Sequence, residues 1–89
     1  MHIDRIDLNL FVVLDAIYSE GSITRASHKL HLTQPAVSHA LGRLRGLFND
    51  PLFTREGRTM VPTPLTRNLM GPVRNSLRGL EITLNEIER

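Results

Sequence analysis

The side chains of this 89-residue chain that can do chemistry are few in kind and uneven in placement. Residues 22–78 carry nine basic side chains (Arg25, Lys29, Arg43, Arg45, Arg55, Arg58, Arg67, Arg74, Arg78) against Asp50 and Glu56, a local net charge of +7. Residues 1–21 sum to −3 and residues 79–89 to −2, so the modest total of +2 hides a basic middle between acidic ends. Ten of the eleven basic residues are Arg, whose planar fork matches phosphate and guanine. Such a distribution fits a face built for a polyanion; the plainer reading is a solvated charged surface. His28 and His31 stand three apart with His39 eight further on, which raises a metal site. With no Cys, and no Asp or Glu at compatible spacing, neither a metal nor a cofactor is expected. Ser38 and His39 are adjacent, so on a helix they diverge by about 100° and cannot act as nucleophile and base. Catalysis is not expected.

The elements that must position these residues follow from caps and periodicity. Asp4 and Asp7 are N-cap candidates for a first helix with Leu10, Phe11, Leu14, Ile17 and Tyr18 at helical spacing, ending near Glu20-Gly21. Ser22 caps a short second helix, whose buried stripe is Ile23, Ala26 and Leu30. Thr33 caps a third, with Pro35 in a first turn that needs no N–H there. Helix, tight turn, helix is the helix-turn-helix spacing. On the third helix Val37, Leu41, Leu44 and Phe48 share one face, flanked by Ala36 and Ala40; Pro35, Ser38, His39, Gly42 and Gly46 share the other. Two interior glycines each cost roughly 1 kcal/mol against alanine, so Gly42 and Gly46 provide clearance, pack against another helix, or are without consequence. Asn49-Asp50-Pro51 ends that helix. Leu52–Arg55, the turn Glu56-Gly57 and Arg58–Val61 read as a hairpin that Phe53 and Met60 pin to the helices, with Arg55 and Arg58 at its tip.

Thr63 and Pro64 open a last helix, on which Met70, Val73, Leu77, Leu80, Leu84 and Ile87 form a heptad seam of nearly three repeats. Gly71-Pro72 is expected to bend or restart it. The fold class is therefore mainly α: a winged helix-turn-helix, made of a three-helix core with a β-hairpin wing over residues 1–63, then a long helix over 64–89 whose regular seam suits contact with another helix. The longest unbroken apolar run, Leu10–Leu14, is far too short for a membrane span or a signal-peptide core, so a cytoplasmic protein without a membrane partner is expected.

Several stretches at fixed mutual distances resemble the N-terminal DNA-binding domain of LysR-type transcriptional regulators, over essentially the whole chain. They are Leu8–Phe11, Gly21–Ser27, Leu32–Ser38, Leu41–Leu44, Asp50–Arg55 and Pro62–Pro64. Arg43–Arg45, Asp50–Phe53 and Met60–Thr63 look most like the branch of nodulation and aromatic-catabolism regulators. The resemblance implies a homodimer formed by antiparallel linker helices and a C-terminal effector-binding domain absent from this chain. A tetramer of the full-length protein and contact with RNA polymerase are compatible with it. Two departures stand out: Leu65-Thr66-Arg67 where most members carry an Ala-Gly step, and His39 where many carry Arg.

In that frame the expected partner is double-stranded DNA, with the third helix entering the major groove N-terminal end first. Gln34 offers its amide to adenine, Pro35 a contact to a thymine methyl, and Ser38 a bond to a base edge or phosphate. Ser22 and Thr33 are phosphate candidates beside their capping roles, as is Thr24 at the start of the second helix; Arg58 belongs to the minor groove, and Arg55, Arg43 and Arg45 to the backbone. His39 lies on the same face. The seam residues Met70, Val73, Leu77, Leu80, Leu84 and Ile87 form the expected dimer interface. The alternative is an interaction module acting through the heptad helix, its basic face incidental.

Overall fold

In a computed structural model that describes residues 2–87, α1 (Asn9–Glu20) is the element around which the others are arranged. A single 3-10 turn, Ile3–Arg5, precedes it. After α1 come α2 (Ile23–Leu30), α3 (Gln34–Phe48), β1 (Phe53–Glu56), β2 (Thr59–Pro62) and α4 (Pro64–Ile87). Helices α2, α3 and α4 and strand β2 all pack on α1. The core is one cluster in which Leu14 and Ile17 meet Ala26, Val37, Leu41, Leu44, Leu52, Phe53, Met60 and Met70. Phe11 and Phe48 close it edge to face, with ring centroids 6.4 Å apart.

The caps explain the helix-turn-helix. The Ser22 hydroxyl accepts the Arg25 N–H at 3.1 Å, and the Thr33 hydroxyl accepts the Ala36 N–H at 3.2 Å, each from an extended backbone. His31 ends α2 in the left-handed region (φ 56°), and the Leu32 N–H reaches back to the Ser27 carbonyl at 2.9 Å. The three-residue turn His31–Thr33 then hands the chain to α3. At α1 the N-cap residue is Leu8, without a side-chain cap, so neither Asp candidate holds that position. The Asp7 carboxylate accepts the Asn9 N–H at 3.0 Å, whereas Asp4 sits in the 3-10 turn and caps nothing.

The wing forms as an antiparallel pair with Phe53 opposite Pro62 and Glu56 opposite Thr59. Each strand starts one residue later than the sequence pattern predicts, for two reasons. Leu52 is fully buried at φ 64°, outside the strand, its N–H held by the Asp50 carboxylate at 2.7 Å. At the other end Gly57 (φ 62°) and Arg58 make the two-residue loop, with positive φ only at the first position, as Gly allows in a type II′ turn. The same Asp50 oxygen accepts the Thr63 hydroxyl at 2.9 Å, and buried Thr66 donates to the Leu52 carbonyl at 2.7 Å. These bonds tie the end of α3, the start of the wing and the start of α4 into one corner. The wing is also fastened to the α1–α2 turn, where the Met60 N–H donates to the Gly21 carbonyl at 2.9 Å.

Helix α4 runs through Pro72 without restarting. It divides along its length. Met70, expected on the heptad seam, is only 3% exposed and belongs to the core of its own chain, where Val73 also packs. The heptad pattern marks an apolar stripe but does not say whose side chains cover it. Leu77 is half-buried, whereas Leu80, Leu84 and Ile87 are 56%, 58% and 76% exposed. No helix among the described residues is long and apolar enough to cross a membrane.

Candidate nucleic-acid interface

One open cleft of about 540 Å³ collects most of the residues that the sequence nominates for DNA. Its walls are Ser22, Ile23, Thr24 and Arg25 from the start of α2, Gln34 and Ser38 from α3, and Arg55, Arg58 and Met60 from the wing. The placement follows from the caps and from the fastened wing. Ser22 and Thr33 start two helices side by side, so both N-termini open toward the same space, and the Met60–Gly21 bond brings the wing alongside. The chemistry is mixed in a useful way. Hydroxyls and a carboxamide can donate to and accept from base edges, while helix N-termini and guanidinium groups favour phosphate. Arg55 and Arg58 have no carboxylate within 4 Å among the described residues, so their charge is uncompensated.

The remaining nominees are spread more widely. Thr33 is engaged as a cap, and Pro35 and His39 are exposed on α3 outside the cleft walls. Gly42 and Gly46 are exposed, with nothing within 4 Å of where a Cβ would stand, which removes the helix-packing reading and leaves an open face. Arg43 is not brought to the cleft. It points to the chain's beginning, 3.7 Å from the Asp7 carboxylate, in a shallow groove with Arg5 and Gly46.

Much of the basic middle is spoken for. Arg45 donates to the carbonyls of Pro51 (2.7 Å) and Phe53 (3.2 Å), which makes it a bracket for the turn into the wing. Arg74 is bound to Asp15 at 2.7 Å, and Lys29 and Arg25 both lie within 4 Å of Glu20. Arg25 is the cleft residue that sequence reasoning counted only as charge. Its signal was available: it stands three residues after the cap Ser22, and so in the first turn of α2. No group of three or more His, Asp or Glu among the described residues could hold a metal.

The family model for bacterial regulatory helix-turn-helix proteins of the lysR type matches residues 8–67, from α1 through the wing into α4. The chain belongs to the LysR family. This LysR-family domain is 45% identical over 84 residues to nodulation protein D 1 of Bradyrhizobium sp. (strain NC92), covering 94% of the chain and 27% of that relative. It superposes on the crystal structure of the probable transcriptional regulator PA0477 from Pseudomonas aeruginosa with a TM-score of 0.91 at 42% identity, covering 94% of the chain and 28% of that structure. The BenM DNA-binding domain, solved in complex with benA site 1 DNA, shares the fold at a TM-score of 0.82 and 23% identity, with 94% and 98% of the two chains covered. The LysR-family domain is thus a DNA-binding helix-turn-helix domain of the bacterial regulatory type. The likeness to a nodulation protein meets the branch that the sequence resembles. The chain spans 25–28% of the length of the curated relatives it matches.

Proposed function

We propose that this domain reads an inverted-repeat operator in double-stranded DNA as a homodimer, for a cytoplasmic transcriptional regulator controlled by a small molecule. The observation that carries the proposal is the convergence of α2, α3 and the wing on one cleft whose two free guanidinium groups flank a carboxamide and three hydroxyls. Gln34 and Ser38 read base edges in the major groove, Arg58 reaches the adjacent minor groove, and Ser22, Thr24, Thr33, Arg25 and Arg55 hold phosphates. Residues 1–63 form the reading domain and 64–89 the linker that pairs with a second copy. The effector site, any tetramer and any contact with RNA polymerase belong to the longer protein.

Selection of an operator from random duplexes, followed by gel shifts at graded salt, tests the proposal. A dimer that neutralises about eight phosphates should show log K falling with log salt at a slope near −7. Arg58→Ala should cost roughly 1–3 kcal/mol and flatten that slope by about one per subunit. An affinity indifferent to salt would sink the proposal. It would favour the second reading, a protein-interaction module working through the exposed Leu80, Leu84 and Ile87. Gln34→Ala should weaken the selected site by roughly 1–3 kcal/mol while leaving random DNA nearly unchanged. Equal losses on both duplexes would reduce Gln34 to a positioning contact.

A further inference from the structure

Just past Pro72, where α4 lacks an N–H and its ladder is one bond short, one side chain makes a polar tie from the helix back to α1. The Arg74 Nε lies 2.7 Å from Asp15 Oδ1, and its Nη2 donates to the Ser19 hydroxyl at 2.8 Å. The guanidinium also rests 4.8 Å from the centre of the Tyr18 ring. All three partners are on α1, so the fork is held in position and in plane. Apolar support fades over the same stretch, from Met70 in the core through half-buried Leu77 to exposed Leu80.

We infer that Arg74 is a positioning residue that fixes the angle at which the dimerising half of α4 leaves the reading domain. It thereby sets the separation and rotation between the two α3 helices on DNA. This rests on the dimeric DNA reading proposed above. The magnitudes make the angle matter. From Arg74 to Ile87 the helix is an arm of about 20 Å, so a swing of about 10° moves one end by about 3.5 Å. That displacement equals about one base-pair rise. Inserting one base pair also rotates one half-site against the other by about 35°. A loose joint at Arg74 would therefore accept neighbouring spacings that a held joint rejects. Polar groups near the joint are Asp15, Ser19, Arg78 and Glu81, and of these Asp15 and Ser19 engage the guanidinium.

The test measures the 89-residue chain and its Arg74→Ala and Asp15→Asn variants on inverted-repeat duplexes whose spacer changes one base pair at a time, with a single half-site as reference. Wild type is expected to prefer its best spacing over the neighbours by about tenfold or more, within the usual range of coupling between sites. Both variants should flatten that preference to about threefold or less while binding the half-site as wild type does. Thermal melting identifies a variant that does not fold; Asp15→Asn, nearly isosteric and partly solvated, carries the test should Arg74→Ala fail. Folded variants that keep the wild-type spacing profile overturn the inference, and so does an equal loss on the half-site. A wild type without any spacing preference overturns the dimeric reading itself, a distinct failure.

Discussion

Leu80→Glu is expected to give a folded monomer that no longer recognises an inverted repeat. In the single chain Leu80 is 56% exposed, so a carboxylate there is solvated and should change the melting free energy by about 0.5 kcal/mol or less. Across the proposed dimer the same carboxylate faces the apolar seam of a second copy without a cation, which costs several kcal/mol. At about 1.4 kcal/mol per factor of ten, affinity for the full operator should fall by more than about a hundredfold, leaving weak, salt-dependent binding to any duplex. Sedimentation and footprinting on one sample check both halves. A variant that sediments as a dimer and protects both half-sites would place the seam elsewhere.

The largest loss of stability is expected at Phe53→Ala. Phe53 is 1% exposed and begins β1, so its ring fastens the wing to the helical core. Removing it takes away transfer free energy and leaves a cavity, together about 3–5 kcal/mol. For a domain of this size that corresponds to a fall in melting temperature of roughly 15–30 °C. Thr54→Ala, one residue on but exposed, should stay within about 0.5 kcal/mol of wild type. A shift of only a few degrees for Phe53→Ala would mean that the wing is not anchored by this ring.

The elements of this fold were legible wherever a local signal decides the structure. Ser22 and Thr33 cap their helices through bonds reaching three residues, so type and spacing were enough to place the helix-turn-helix. The wing was legible in kind but displaced by one residue, because Leu52 adopts a left-handed backbone held by Asp50 and Thr66, and β-branching or periodicity carries no trace of that. The candidate site was legible as a set of residue types and less so as a set of charges. Arg43, Arg45 and Arg74 read as cations for a polyanion, yet each has a partner within its own chain. Two of those partners, Asp7 and Asp15, lie in the acidic beginning that sequence bookkeeping set aside as a flank. Met70 differs for a related reason: a heptad records apolarity along one helix, while the choice between core and interface depends on which element packs over it, here α1 of the same chain.

The uncovered far end of α4 also has a bearing on dose. Leu80, Leu84 and Ile87 are each more than half exposed in the single chain, and an unsupported helical end of two turns is marginal in water. In the proposed dimer a second copy would cover and bury those side chains together, which would make the heat capacity of association negative. Where the pair is scarce, its abundance follows the square of the chain concentration, so doubling the chain yields about fourfold more of the species that can hold both half-sites. In the proposed dimer, occupancy of a two-part target would climb more steeply with supply than a lone reading head allows, so the protruding helix end would sharpen the response to accumulation.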